Sequence, residues 1–423
     1  MNNITPKTLK GFRDFLPKEE VKRQFVIDKI KMAFESFGFE PLETPAIEYE
    51  EILLGKYGEE GDKLLYRFQD RGERKVALRY DQTVPLARVV AQYGSASSPQ
   101  VLPLPFKRYQ IQPVWRAENP QKGRFREFLQ CDADIVGSST PLSDAEVIAL
   151  ASKTLESLGF TKFKILINDR KAFFDLIEKG AFTKEEMAVI VRIIDKIKKI
   201  GKDGVIKELA EKGYAPSKGE EIIKLIEEQE KTDTLKDINS YLENMQLKKD
   251  LFEFSPTLAR GLDYYTGMIF EIEIEGYTAG SVCGGGRYDN LIGMFADKNI
   301  PAVGFAFGFD RLVEAMEEFN LFPKDLGITK VLATVFSDAL KEKSIEISSR
   351  LRSNNINTEI YLGEVKEKNA LEKQLKYANQ KAIPYAVIIG PNEAEKNVVI
   401  LRNMETREQK DVTLEELIKE IKE

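Results

Sequence analysis

Residues 114–130, VWRAENPQKGRFREFLQ, carry six charges around a Pro120-to-Gly123 turn, with Arg116, Arg124 and Arg126 on its two arms. The flanks, RYQIQPVW and FLQCDADIVG, have the look of buried strands. A planar guanidinium fork matches the oxygens of a phosphate, so arginines on both arms suit a grip on phosphates. A solvated surface hairpin is the plainer alternative. Three more clusters are unusual for a core: LRYDQT (78–83), ARGLDYYTG (259–267), and AGSVCGGGRYDNL (279–291) together with VGFAFGFDRL (303–312). Each alone has an ordinary structural reading. Glycine triplets serve tight turns, tyrosine pairs serve cores or interfaces, and an Asp-Arg pair at a helix start is a cap or ion pair. No segment matches GxxxxGK[ST], and Gly284-Gly285-Gly286 is followed by Arg-Tyr-Asp. A bound nucleotide would therefore be held by arginines on a sheet.

The chain contains no histidine. That removes the Ser-His-Asp triad, the imidazole metal site and the histidine general base together. Chemistry here must rest on arginine, lysine, carboxylates and positioning. The net charge of −6 argues against a protein dominated by nucleic-acid backbone contacts, while leaving room for a local basic surface. Cys131 and Cys283 give neither a disulfide framework nor a zinc spacing, and read as small buried hydrophobes. With no apolar run of membrane-span length and no signal-peptide core near the start, the expectation is a cytoplasmic protein without a membrane partner.

At 423 residues the chain is too long for one ordinary core, so two or three domains are expected. Apolar spacing predicts a helix over 19–37, then an extended segment through Pro41 and Pro45. LYRFQDRGERKVALRY reads as a hairpin turning at Asp70–Glu73, followed by a helix over 85–93. Strands follow around 106–115 and 125–136. From 171 to 251 the chain reads as a charged helical insertion, with Met187, Ile190, Val191, Ile194 and Ile197 on one face. Thr183-x-x-Glu186 and Ser217-x-x-Glu220 read as capping boxes there. Strand character returns at MIFEIEIEGY and AVGFAFGF, and a helix is expected from about Asp310. Beyond the loop NLFPKDLGIT, the segments KVLATVF, NTEIYL, YAVIIG and NVVIL read as short strands. Helices near 339–353, 366–380 and 413–422 complete a compact α/β domain.

Taken together, these clusters resemble the class II aminoacyl-tRNA synthetases and, within them, the histidyl-tRNA synthetase family, over nearly the whole chain. ESFGFEPLETP is similar to motif 1, whose proline lies at the dimer interface, VWRAENPQKGRFREFLQ to motif 2, and VGFAFGFDRL to motif 3. RGLDYYTG and GGGRYD are similar to the two signatures peculiar to the histidyl family. The sequence departs from the pattern in ending motif 3 with Asp310-Arg311, where Glu-Arg is commoner. LRYDQT and QCDADIVG look like the eukaryotic-type branch, whereas the turn NPQKGR looks bacterial.

The resemblance implies an α+β fold: an antiparallel-sheet catalytic domain (1–170 and 252–325), a helical insertion (171–251), and a C-terminal α/β anticodon-binding domain (326–423). It implies activation of histidine with ATP and Mg²⁺, transfer to tRNA(His), and a homodimer. Arg116 would grip the α-phosphate and Arg311 the γ-phosphate of a bent ATP, with Glu118 near the adenine or acceptor end and Arg124 a further phosphate contact. Arg260 would touch both the amino-acid carboxylate and the α-phosphate. Asp81, Thr83 and Gln130 match positions that bind the α-amino and carboxylate ends, and Asp134 and Tyr264 match those facing the imidazole. Tyr265 and Tyr288 would line the pocket, Gln121 would meet the extra 5′ guanosine of the tRNA, and Gly284–Gly286 would let backbone approach the ligand. Two rival readings exist: an inactive synthetase-like regulatory subunit of ATP phosphoribosyltransferase, and a protein that binds tRNA-like RNA. Arg260 and the C-terminal domain weigh against the first, and Arg116 with Arg311 against the second.

Overall fold

The computed structural model describes residues 4–54, 63–94, 101–120, 124–178, 182–259, 264–296, 299–365 and 369–422. The chain divides into two compact units, residues 1–14 with 26–321 and residues 15–25 with 322–423.

The first unit contains β1 (Glu40–Pro41), β2 (Ile47–Tyr49), β3 (Arg67–Gln69), β4 (Lys75–Leu78), β5 (Phe106–Trp115) and β6 (Glu127–Val136). It continues through β7 (Phe163–Asp169), β8 (Phe252–Phe254), β9 (Met268–Ile274), β10 (Cys283–Arg287) and β11 (Ala302–Gly308). Eight of these form one sheet in the order β1-β5-β6-β11-β10-β9-β7-β8. The pairs β5–β6, β6–β11, β11–β10, β10–β9 and β9–β7 are antiparallel, while the two edges, β1–β5 and β7–β8, are parallel. Strands β2, β4 and β3 make a small separate antiparallel sheet.

Alternation along the central strands gives the large sheet two unlike faces. One face packs Phe270, Phe305 and Phe307 with Phe34, from the helix Pro17–Ser36, in a set of aromatic contacts. Each ring is at most 4% exposed, and such burial contributes roughly 1.5–3 kcal/mol per side chain. Cys131 and Cys283 are buried, outside any disulfide, and opposite Phe307 in the strand register, in keeping with small core residues. The other face carries the polar residues that build the site.

Gly284–Gly286 lie inside a central strand, not in a turn. A Cβ at Gly285 would collide with the Gly304 carbonyl and the Phe305 side chain, and one at Gly286 would come within 2.7 Å of the Met268 carbonyl oxygen. Glycine here lets adjacent strands close.

The helices of 171–227 share a core of their own, which includes Met187, Ile190, Val191 and Ile194 with Ile197 packed beside it. Thr183 and Glu186 form the expected capping box, with the Glu186 amide donating to Thr183 Oγ1 at 3.2 Å. The second expected box is absent. The helix Pro216–Glu227 starts two residues earlier, with Ala215 as its cap and Pro216 in the first turn, so Ser217 is already helical.

In the second unit, β12 (Val331–Ala333), β13 (Thr358–Ile360), β14 (Tyr385–Ile388), β15 (Val399–Asn403) and β16 (Gln409–Val412) form a sheet in the order β13-β12-β14-β15-β16. The first three are parallel, joined through the helices Lys341–Ser353 and Ala370–Gln380, and the last two add antiparallel. Val331, Leu351, Val387, Leu401 and Leu417 centre its core.

Candidate active site

The polar face of the first unit's sheet is built by period-two alternation. On β6, Gln130, Asp132 and Asp134 point the same way, and Gly284 of β10 with Gly304 and Ala306 of β11 floor the space beside them. Two adjoining cavities open there and share Arg116, Gly284 and Ala306. The larger, about 400 Å³, is rich in guanidinium groups and aromatic rings, and the smaller, about 180 Å³, is rich in carboxylates. The sizes suit a nucleotide beside a small ligand.

Arg116, Glu118, Arg124, Asp310 and Arg311 line the larger cavity with Phe125 and Phe128. Arg116 follows β5 directly. Its Nε donates to the Tyr80 carbonyl at 3.1 Å, and its guanidinium lies 5.0 Å from the Phe128 ring centre. One edge of the fork is thereby fixed and the charge is directed into the cavity. Arg311 sits in the first turn of the helix Phe309–Glu318 and donates from Nη1 to the Ser281 carbonyl at 2.7 Å. Its neighbour Asp310 is taken by Arg13 Nη2 at 2.7 Å, and the Arg13 guanidinium lies 3.2 Å from the Phe125 ring centre. The Arg126 amide also donates to the Gly11 carbonyl at 2.8 Å, so the N-terminal segment braces the second arm of the charged hairpin.

Asp81, Thr83, Gln130, Asp132, Asp134, Tyr264 and Tyr265 line the smaller cavity. Asp81 caps the helix Thr83–Tyr93 by accepting from the Val84 amide at 3.1 Å. Asp134 Oδ2 lies 2.7 Å from Nη2 of the fully buried Arg108, and its Oδ1 accepts from the Tyr288 hydroxyl. Asp132 accepts from Gln130 Nε2 at 3.1 Å. Burial pushes the Asp132 carboxyl up to about 8, with Asp134 and Asp81 adding to the rise and Arg108 opposing it. Burial and then the Asp134 charge push the Tyr288 phenol well up, so it stays a donor.

The structure thus gathers Arg116, Glu118, Arg124 and Arg311 at one cavity and Asp81, Thr83, Gln130, Asp134, Tyr264 and Tyr265 at the other. Tyr288 is a correction. It is 2% exposed, is not among the lining residues, and stands behind the wall, where it holds Asp134. Gly285 is another: of the triplet only Gly284 lines both cavities, while Gly285 packs toward Phe305 and Phe270 on the opposite face. Arg260 and Gln121 lie outside the described residues.

Asp132, Arg108 and Arg13 were not among the sequence-derived site residues. The spacing Gln130-x-Asp132-x-Asp134 already places Asp132 on the same face as its two neighbours, so alternation alone could have found it. Nothing local marks Arg108 or Arg13, whose partners are distant in sequence. The arginines of the signature segments LRYDQT and GGGRYD are braces. Arg79 donates to the Thr44 and Pro113 carbonyls, at 2.6 and 3.0 Å. Arg287 grips Asp144 through Nε and Nη2, both at 3.0 Å.

A family model described as histidyl-tRNA synthetase matches residues 11–312, and one described as anticodon binding domain matches residues 330–423. A histidine–tRNA ligase of Cytophaga hutchinsonii is 40% identical, with 98% of each chain covered. The crystal structure of histidyl-tRNA synthetase from Nostoc sp. PCC 7120 superposes with a TM-score of 0.86 at 30% identity, over 99% of each chain. A Bacillus halodurans structure described as an ATP phosphoribosyltransferase regulatory subunit/histidyl-tRNA synthetase shares the fold, with a TM-score of 0.70 at 22% identity over 88% of this chain. By the match over most of its length, the chain belongs to the histidyl-tRNA synthetase family.

Proposed function

We propose that the two cavities bind ATP and histidine, and that the chain is a histidine–tRNA ligase acting through them. The observation that carries this reading is the junction at Arg116, the charged side chain shared by a cationic cavity and a carboxylate-lined one. In the first step a carboxylate oxygen of histidine bonds to the α-phosphorus of ATP as the bond to the β-phosphate oxygen breaks and pyrophosphate leaves. In the second, a terminal ribose hydroxyl of tRNA(His) attacks the activated carbonyl and AMP departs. Neither step needs an imidazole base. The first needs alignment and stabilisation of negative charge, which fixed guanidinium groups supply.

In this reading Arg116 holds the α-phosphate and Arg311 the γ-phosphate, with Arg124 a further phosphate contact and Glu118 near the adenine. Asp81, Thr83 and Gln130 receive the α-amino and carboxylate ends of histidine, and Asp134 with Tyr264 faces the imidazole, Tyr265 closing the pocket. Arg260 is assigned to the carboxylate and α-phosphate, and Gln121 to the 5′ end of the tRNA. Residues 330–423 bind the anticodon. Among the described residues no group of three metal-ligating side chains stands together, and the nucleotide cavity is cationic. Mg²⁺ bound with ATP would neutralise the charge of the departing pyrophosphate, and Glu118 and Asp310 are the carboxylates of this cavity that could hold it. A homodimer is the assembly that goes with this reading. Among the described residues no helix is long and apolar enough to cross a membrane.

Charging of total tRNA with each amino acid in turn tests the proposal. Histidine alone is expected to become attached, and attachment of a different amino acid in its place would overturn it.

A further inference from the structure

The smaller cavity holds more carboxylate than its assigned roles use. Asp81, Asp132 and Asp134 are each at most 5% exposed; of the two fully buried arginines near them, Arg108 is paired with Asp134 and Arg79 is committed to the Thr44 and Pro113 carbonyls. An ionised carboxylate taken out of water needs a cation or several donors to offset its lost hydration. Asp134 has Arg108 and Tyr288, and Asp81 Oδ1 is engaged by a helix amide. Asp132 has only the Gln130 amide among the described residues.

That single hydrogen bond has a second consequence. With Nε2 of Gln130 committed to Asp132, its Oε1 is turned away, buried, and without a donor among the described residues. Two adjoining acceptors stand on one cavity wall: the Asp132 carboxylate, with the Gln130 amide as its donor, and the Gln130 oxygen, with no donor among the described residues. A neutral imidazole carries one N–H donor and cannot satisfy both. An ammonium carries three donors, no acceptor and a permanent positive charge near neutral pH.

We propose that Asp132 binds the α-ammonium of the amino-acid substrate directly and also orients the Gln130 amide so that its oxygen accepts from the same ammonium. This extends the proposed histidine–tRNA ligase reading and rests on it. Asp132 is then a specificity-determining residue for the free amino acid, distinct from Asp134, whose oxygens are held by Arg108 and Tyr288. The charged and titratable groups facing Asp132 are Arg79 after β4, Asp81 before the helix Thr83–Tyr93, Arg108 on β5, Asp134 on its own strand, Arg116, and the phenols Tyr264 and Tyr265. Burial first, then Asp134 and Asp81 against the opposing Arg108, push the Asp132 carboxyl up to about 8, so binding an ammonium near neutrality expels a proton. Affinity for an ammonium-bearing ligand therefore rises with pH toward that value.

The test is calorimetric titration of the full chain with histidine, histamine (no carboxylate) and imidazolepropionate (no ammonium), between pH 6.5 and 8.5. For the parent protein the Kd of histidine and histamine is expected to tighten roughly tenfold across this range, while that of imidazolepropionate follows only its ring. Asp132→Asn is expected to weaken histidine and histamine by a common factor of roughly 30-fold or more, and to flatten their pH dependence. Imidazolepropionate and ATP should change less than about twofold, which also shows that the variant is folded. Asp132→Glu, which keeps the charge, should recover part of the loss. Weakening of all three imidazole ligands by one factor, or of imidazolepropionate most, would overturn the assignment and place Asp132 at the ring. A parent protein whose histidine affinity is independent of pH would overturn it without any variant. Failure of the parent protein to bind histidine at all would instead bring down the ligase reading, and this assignment with it.

Discussion

Arg116 is the charged residue among the three that the two cavities share, and its Nε is already committed to the Tyr80 carbonyl. If Arg116 holds the α-phosphate as proposed, alanine removes charge stabilisation at the reacting phosphorus, and Arg116→Ala is expected to slow histidyl-adenylate formation by roughly 10²- to 10³-fold. Arg116→Lys should recover little, because an ammonium cannot hold the Tyr80 bond and present a fork together. Single-turnover adenylation measures both, and near-parental rates for the alanine variant would contradict the role. Asp132 makes a separate prediction about stability. Its carboxyl is raised to about 8 in the folded protein, chiefly by burial, whereas an unfolded aspartate ionises near the ordinary value. Between those values the folded state holds the proton and the unfolded state has released it, so this group's contribution falls as pH rises toward 8. Thermal melts of the parent and Asp132→Asn should therefore diverge from pH 5 to pH 8, the variant becoming relatively more stable. Parallel melting curves would contradict the shift. At this scale most of the site was legible, because arginine, aspartate and tyrosine clusters in mixed apolar segments stand out. Tyr288 and Arg108 were misjudged or missed because burial behind the wall, not residue type, sets their role.

At the scale of elements, strands with clean alternation or familiar length, β5, β6 and β9, were readable from sequence alone. FKILIND was not, since a short apolar run carries no periodicity that separates strand from helix, and it became β7. CGGGR was read as glycines that let backbone approach a ligand, with a tight turn as the plain alternative; its backbone is a strand between β9 and β11. Only the register explains why glycine is needed there, and register is a long-range property. Gly285→Ala is expected to cost about 3 kcal/mol or more, since the added methyl meets backbone and a packed side chain that cannot move aside. Urea unfolding measures it, and a loss under about 0.5 kcal/mol would contradict the packing account. The N-terminal segment was not connected to the site by any sequence signal. Arg13 joins Asp310, beside Arg311, to Phe125 on the hairpin. Arg13→Ala is expected to raise the KM for ATP several-fold while leaving the Kd of histidine near parental, because its partners line only the larger cavity. An equal loss for both substrates would point to general unfolding of the sheet.

For the whole molecule, two compact units separate the eight-stranded sheet with its two cavities from a smaller α/β unit. Composition first excluded imidazole chemistry and so directed attention to the arginines. The absence of histidine has a further consequence for a ligase that charges tRNA with it. Translation of such a chain does not consume the product of its own reaction, so its synthesis should persist when histidine is scarce. Pulse-labelling in histidine-starved cells, against a variant carrying several surface histidine codons, checks this. The parent is expected to be made at a higher relative rate, and equal shut-off would remove the idea's support. The central claim is that the arginine-lined and carboxylate-lined cavities act together to activate histidine. ATP–pyrophosphate exchange measures that step without tRNA. The account predicts exchange that depends on histidine, is not supported by other amino acids, and is lost in Arg311→Ala. Pure folded protein that binds ATP yet shows no histidine-dependent exchange would contradict it.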